Sequence, residues 1–286
     1  MASEIVQQLG VIGAGTMGVG VSHAFAQAGF QVTLTDISDA ALDTARKKIA
    51  RNALTYRMLR AEQTAGPEEI LSRIRFTTDT KALRHSDYVV ENATEDWGVK
   101  EEIYREIDGI CPDHCIFGVN TSAISITRVA ALTKRPEQVV GTHFMNPAPL
   151  KRVVEVIKGF HTCEDTLNAT KDLLARAGNE GIVVQDSAGF VTNRVMMLTV
   201  NEAICLLEEN VSTVAEIDRL FKECFGHTMG PLETCDLIGL DTVLYSLDVL
   251  YDSFNDPKYR PSQLLKKMVH AGQHGQKTGR GFYSYS

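Results

Sequence analysis

Short runs of β-branched and aliphatic residues punctuate the first two thirds of the chain. They lie at Leu9–Ile12, Gln31–Asp36, Tyr88–Glu91, Cys115–Asn120, Val139–His143, Val153–Ile157 and Gly181–Val184, and each predicts a strand. Leu9–Ile12 and Tyr88–Glu91 are almost wholly apolar until their last residue, as in strands covered on both faces. Helix-length segments or helix-bearing loops separate the first five runs, which predicts a mostly parallel sheet with helices on both sides. From Val139 onward the spacing shortens, and added strands, some antiparallel, are expected at one edge. Ala61–Pro67 reads as a polar loop between helices.

After Asp186 the period changes from two to about 3.6. Val191–Glu209, Val214–Phe225, Leu232–Ser253 and Ser262–Ala271 all read as helices, and Pro231 and Pro261 sit where a helix start tolerates a missing N–H. The expected organisation is an α/β domain over 1–186, followed by a smaller all-helical domain over 187–286. No repeat or low-complexity tract interrupts either.

Composition narrows the function without naming it. The chain has 286 residues, 44% apolar and 23% charged, the profile of a soluble globular protein with a substantial core. Its net charge of -7 argues against broad binding to nucleic acid or a membrane surface, though not against a local basic patch. No apolar run approaches the roughly 18 residues of a membrane span, and apolar alternation begins near Leu9 without a signal peptide, so a cytoplasmic location is expected. The six cysteines form no CxxC pair and no zinc-spaced cluster with histidine, and read as buried reduced thiols. His270 and His274 are four apart, but Gly272 and Gly275 weaken any helix there, and no metal site is expected.

Gly13-Ala14-Gly15-Thr16-Met17-Gly18 matches GxGxxG, a weak signal by itself because glycines also serve ordinary turns. Here a strand precedes it, an alanine-rich helix (Val19–Ala28) follows, and Asp36 ends the next strand at about the expected 20-residue distance. Gly13 permits the tight turn, Gly15 lets backbone approach a pyrophosphate, and Gly18 lets helix pack on sheet. The pyrophosphate would sit at a helix N-terminus. A carboxylate at Asp36 accepts from the adenosine ribose hydroxyls and repels a 2′-phosphate, and Ile37-Ser38-Asp39 offers no arginine to take one. NAD is therefore favoured over NADP. FAD through the same turn is the rival.

A dinucleotide turn leaves the reaction open. His143 ends a predicted strand, on the ligand side of an open α/β sheet. Glu155, twelve residues on, is a lone carboxylate in Val153-Val154-Glu155-Val156-Ile157, costly there unless paired. A histidine on the neighbouring strand is an economical partner: Glu155 would fix the imidazole tautomer and stabilise its protonated form, and His143 would act as general base toward a substrate hydroxyl. The bland alternative is a satisfied core histidine. Ser122, in Asn120-Thr121-Ser122 on the same sheet edge, can hydrogen-bond the reacting oxygen or simply cap a helix. Asn193, early in an apolar helix, can reach a cleft or face solvent.

With VIGAGTMG, NTSAISIT, HFMNPAPL followed by VVEVI, GFVTNR, MGPLE with DLIGLD, and the closing KTGRGFY, the chain resembles the 3-hydroxyacyl-CoA dehydrogenases, especially the bacterial 3-hydroxybutyryl-CoA type, over nearly its whole length. The resemblance implies a Rossmann-type domain and reversible oxidation of the 3-hydroxyl of an acyl thioester with NAD. It implies His143 and Glu155 as the catalytic pair, with Ser122 and Asn193 at the reacting part of the substrate. Asp36, Glu95, Lys100, Asn120, Ser122, Asn146 and Lys277 fall on cofactor-contacting positions. It further implies a homodimer formed through the helical domain and an active site in the cleft between domains.

Two segments depart from the family pattern. The helix after Asp36 lacks the usual lysines for the phosphates of CoA and reads Arg51-Asn52-Ala53-Leu54-Thr55-Tyr56-Arg57-Met58-Leu59-Arg60, and Glu91-Asn92-Ala93-Thr94-Glu95-Asp96-Trp97 replaces an alanine-rich version. Both look more like a subgroup acting on thioesters of acyl carrier protein, such as the glyceryl-ACP dehydrogenases of methoxymalonyl extender-unit synthesis. Arg57 and Arg60, one turn apart, could form an anion site, and an acidic carrier would suit such a patch. Arg46, Lys47, Lys48, Arg51, Arg57 and Arg60 could equally be a solvated helix face. The expected substrate is thus a hydroxyacyl-CoA or hydroxyacyl-ACP, with a slight lean to ACP. Two other readings remain: a retired, NAD-binding structural protein, against which all four catalytic positions speak, and a 2-hydroxyacid or sugar-acid dehydrogenase, against which the lack of a lysine base in the strand-end loops speaks.

Overall fold

The computed structural model describes residues 6–59 and 65–285. Two compact units divide at Asp186 and Ser187. The first holds eight strands in one sheet: β1 (Gln8–Ile12), β2 (Gln31–Thr35), β3 (Ile74–Thr77), β4 (Tyr88–Glu91), β5 (Ile116–Val119), β6 (Val139–His143), β7 (Val153–Lys158) and β8 (Glu180–Gln185). Its helices are α1 (Thr16–Gln27), α2 (Asp39–Leu59), α3 (Pro67–Ser72), α4 (Trp97–Ile110), α5 (Ile126–Ala130) and α6 (Glu164–Arg176). The strand order is β3-β2-β1-β4-β5-β6-β7-β8. The strands from β3 to β6 are parallel, β7 is antiparallel to β6, and β8 runs parallel to β7. This is a Rossmann-type sheet extended at one edge, as the shortened spacing after Val139 predicts.

The order reverses beside β1, with β2 and β3 on one side and β4 onward on the other. The C-terminal ends of β1 and β4 therefore open a crevice, the place where sheets of this kind hold ligands. The central strands bury both faces, and Val11, Leu34 and Val90 pack with Phe25 of α1, Ile49 of α2 and Leu173 of α6 in one core. Each such side chain contributes about 1.5–3 kcal/mol by leaving water.

Three expectations need correction. Ile74–Thr77 is an edge strand that the apolar pattern did not announce, because two apolar residues in four cannot establish a period of two. Leu232–Ser253 is not one helix but α9 (Pro231–Ile238) and α10 (Leu240–Phe254), broken at Gly239, whose φ of 101° no helix accommodates. Pro67 belongs to α3 rather than to the preceding loop. Residues 61–64 of that loop and Arg60 lie outside the described residues, so the Arg57–Arg60 pairing does too.

The helical unit comprises α7 (Thr192–Glu208), α8 (Val214–Phe225), α9, α10 and α11 (Gln263–His270). A capping box between Thr213 and Glu216 starts α8, and Gly226 ends it in the left-handed region. Two buried carboxylates knit the unit. Asp218 accepts from the Leu232 and Glu233 N–H groups (2.8 and 2.9 Å) and from the Tyr283 hydroxyl (2.8 Å). Asp236 accepts from the Phe282 and Tyr283 N–H groups and the Tyr285 hydroxyl, each at 2.9 Å. The MGPLE, DLIGLD and KTGRGFY segments are thus in part the clasp that closes the C-terminal residues onto α8 and α9. No helix among the described residues is long and apolar enough to cross a membrane.

Candidate active site

Residues following β1 form an anion cradle. Gly13 has a φ of 89°, and a Cβ there would stand 2.8 Å from the Asn92 carbonyl oxygen. A Cβ on Gly18 would lie 1.7 Å from the Gly13 oxygen, so the turn closes only with glycine at both places. Gly15 differs: a Cβ on it would meet nothing within 4 Å. Gly15 is the N-cap of α1 and supplies no capping side chain, so the first turn at Thr16, Met17 and Gly18 presents backbone N–H groups at the positive end of the helix dipole. Asp36, just past β2, anchors the turn: its Oδ2 accepts from Ala14 N at 2.7 Å and its Oδ1 from Ser38 N at 3.0 Å. Ile37 beside it is fully exposed, and Ile37-Ser38-Asp39 carries no cation for an extra phosphate. An open glycine face, an uncapped helix start and an acidic strand end fit the pyrophosphate and ribose of NAD.

The reactive groups stand at the C-terminal end of β6 and in the loop after β5. His143 and Glu155 are direct partners in the antiparallel register of β6 and β7. Both are buried, at 5% and 6% exposure, and the imidazole Nδ1 lies 2.8 Å from Glu155 Oε2. An ionised carboxylate can only accept, so Nδ1 donates to it, and in the neutral imidazole that tautomer leaves Nε2 as the acceptor. Ser122 Oγ sits 3.0 Å from that Nε2. The twelve-residue spacing in the sequence is thus resolved into a carboxylate–imidazole–hydroxyl line.

The loop that carries Ser122 is held by the loop before α4. Glu95 Oε1 accepts from the Thr121 hydroxyl and from the N–H groups of Ser122 and Ala123, the latter two at 3.1 Å each. Asn120 donates through Nδ2 to Asn92 Oδ1 (2.6 Å) and accepts on Oδ1 from Phe144 N (3.1 Å), tying the ends of β4, β5 and β6 together. Asn92, Thr121 and Glu91 are site residues that the sequence reading passed over.

Lys100 lies one turn into α4. It is fully buried, with Nζ 2.9 and 2.7 Å from the two oxygens of the equally buried Glu91 and 4.0 Å from Glu95 Oε2. Burial pushes the Glu91 carboxyl up from its ordinary range, against the pull of the Lys100 charge and hydrogen bond. Asn146 is exposed in the loop after β6. In the helical unit, Asn193 is half-buried in the first turn of α7, and Lys277 pairs with Asp241 at 2.5 Å, which holds the Asp241 carboxyl low despite the opposing effect of burial. Among the described residues no cluster of His, Cys, Asp and Glu could hold a metal ion.

Comparison with known proteins bears on the whole chain. Residues 8–187 match the model of the 3-hydroxyacyl-CoA dehydrogenase NAD binding domain, and residues 189–285 that of the 3-hydroxyacyl-CoA dehydrogenase C-terminal domain. A 3-hydroxybutyryl-CoA dehydrogenase of Bradyrhizobium diazoefficiens is 42% identical, covering 99% of this chain and 97% of its own. A probable 3-hydroxybutyryl-CoA dehydrogenase of Bacillus subtilis is 40% identical, covering 98% of each. The crystal structure of (S)-3-hydroxybutyryl-CoA dehydrogenase from Ralstonia eutropha superposes with a TM-score of 0.93 at 42% identity, over 98% of this chain and 99% of that one.

Proposed function

The chain belongs to the 3-hydroxyacyl-CoA dehydrogenase family, and from that premise we propose that it oxidises the 3-hydroxyl of a short acyl thioester to a ketone or aldehyde, reversibly, with His143 as general base. The observation that carries the reading is the line from Glu155 through His143 to Ser122. Glu155 holds the Nδ1 proton, so Nε2 is the atom that takes the proton of the substrate hydroxyl. As the carbon–hydrogen bond breaks with its electron pair leaving as hydride, the oxygen's freed electrons form the C=O bond, and the imidazolium is balanced by Glu155. Gly13, Gly15, Thr16, Met17, Gly18 and Asp36 would hold NAD, which would supply the hydride acceptor. Ser122 Oγ shares the Nε2 face and orients the reacting oxygen, and the family likeness implies Asn193 as a further substrate contact. Glu95, Lys100, Asn120, Ser122, Asn146 and Lys277 complete the cofactor-contacting set that the family likeness implies.

The names of the relatives support CoA as the carrier. A second reading, an acyl carrier protein, is favoured by α2. Leu54 and Met58 are 51% and 86% exposed there, among the exposed Lys47, Lys48, Arg51 and Arg57, while Arg46 is folded 4.3 Å over the Phe76 ring. A basic face with apolar side chains suits an acidic protein better than a phosphate alone. NADH formation measured with 3-hydroxybutyryl-CoA and with a hydroxyacyl-ACP tests both. Turnover of neither overturns the dehydrogenase reading. A micromolar KM for the CoA substrate, unmoved by Lys47→Glu with Met58→Asp, overturns the carrier-protein reading.

A homodimer formed through the helical unit is part of the same proposal. Leu220 and Phe225 of α8 are 55% and 70% exposed, an apolar pair that a second copy would cover. Light scattering should give twice the 31.5 kDa chain mass, and Leu220→Asp with Phe225→Asp should give one. A monomeric wild type would sink the dimer.

A further inference from the structure

The segment that carries Ser122 is held at both ends. At its start Glu95 accepts from Thr121, Ser122 and Ala123. Three residues past Ser122, Ser125 caps α5, and there a second carboxylate takes hold. Asp186 Oδ2 accepts from the Ser125 hydroxyl at 2.8 Å, from Thr127 N at 2.8 Å and from the Thr127 hydroxyl at 2.6 Å. The same Thr127 hydroxyl accepts from Phe160 N at 3.0 Å, and the Ser125 hydroxyl from Arg128 N at 3.3 Å. Asp186 lies one residue past β8, where its N–H donates to the Lys158 carbonyl at 3.0 Å and extends the ladder between β7 and β8. One carboxylate thus ties the start of α5 to the ends of two strands, all within the first unit.

We infer that Asp186 is a positioning residue: it fixes the start of α5, and through it the short run from Ser122 to Ser125, so that the Ser122 hydroxyl stands against His143 Nε2. The inference rests on the dehydrogenase reading above. Its physical basis is the length of α5. Five residues make little more than one turn, and a helix so short does not hold itself in water. Its placement must come from outside. Ile126 and Val129 are fully buried, but apolar burial is non-directional. Three hydrogen bonds converging on one charged oxygen set position and direction together, and a carboxylate at a helix N-terminus is favoured by the dipole as well. Misplacement of a reacting group by about 1 Å can cost on the order of 10²-fold in rate.

Asp186→Ala removes the acceptor, whereas Asp186→Asn keeps one: all three bonds converge on a single oxygen, and the asparagine Oδ1 can take its place. The turnover rate kcat and the NADH Kd by fluorescence are measured for both variants, in the wild-type and in a Ser122→Ala background, at a temperature where circular dichroism shows every protein folded. Asp186→Ala should lower kcat roughly 10–100-fold with NADH Kd within about threefold of wild type. Asp186→Asn should return kcat to within about threefold of wild type, because the clamp needs an acceptor and not a charge. In the Ser122→Ala background Asp186→Ala should lower kcat by less than about threefold, since positioning a missing hydroxyl has no value. Equal losses in both backgrounds would mean a merely structural role and overturn the inference. So would an Asp186→Ala rate within about threefold of wild type, or an Asp186→Asn rate as low as that of Asp186→Ala, which would assign the effect to charge. Should Asp186→Ala not fold, Thr127→Val removes one hydroxyl at nearly the same volume and carries the same comparison, with an expected loss of about 3–10-fold that Ser122→Ala abolishes. The wild-type rate reports on the dehydrogenase reading and the variant-to-wild-type ratio on Asp186, so the two fail separately.

Discussion

Replacing His143 with glutamine should lower kcat by about 10²–10⁴-fold, the range of a positioned general base, and leave NADH binding within about threefold. Glutamine is the right probe for this buried site. Its amide N–H can donate to Glu155 as Nδ1–H does, and its oxygen can accept from Ser122, so the two hydrogen bonds at 2.8 and 3.0 Å have replacements. What glutamine cannot do is take a proton. Alanine would instead remove a hydrogen-bond partner of the Glu155 carboxylate at 6% exposure, and a lost rate would then mix chemistry with damage. Stopped-flow rates, NADH titration and a thermal midpoint together separate the cases. Activity that survives the substitution would mean that another group removes the proton. A wild type that binds NADH and turns over no thioester would revive the reading of a retired enzyme.

The His143–Glu155 pair was legible because it breaks a rule of composition. A carboxylate inside Val153–Ile157 has no bland explanation in a covered strand, and pairing Glu155 with the nearest strand-end histidine follows from the cost of burying it. Glu91 carries a similar signal, an acid at the end of an apolar run, but a last strand residue can also turn to solvent, so its burial had to be seen. Lys100 was opaque for the opposite reason. A lysine one turn into an amphipathic helix reads as exposed, and only the packing of α4 on the sheet puts it at zero exposure against Glu91. The break at Gly239 was hidden because a single glycine costs a helix only about 1 kcal/mol, and the apolar period runs through it undisturbed. The partners of Asp218 and Asp236 lie up to 65 residues away, beyond any local pattern, so the clasp they form is not legible in the sequence.

The glycine turn permits a test that separates a ligand cradle from an ordinary tight turn, because its glycines serve different ends. In Gly18→Ala the new methyl would sit 1.7 Å from the Gly13 oxygen, so the turn must open, and both Tm and NADH affinity should fall. In Gly15→Ala the methyl meets no protein atom within 4 Å, and the local backbone, φ -71° and ψ -169°, is one that alanine adopts without strain. The fold therefore has no reason to object, and Tm should move by no more than about 2 °C. The added methyl would project into open space at the N-cap of α1, where a pyrophosphate would approach the N–H groups. NADH affinity should accordingly drop by roughly 10–100-fold, or about 1.4–2.8 kcal/mol. A turn that merely connects strand to helix would make Gly15→Ala neutral in both measurements, and unchanged NADH affinity in a folded Gly15→Ala protein would place the cofactor elsewhere. Loss of binding at unchanged Tm is an outcome that only a cradle built around an open glycine face explains.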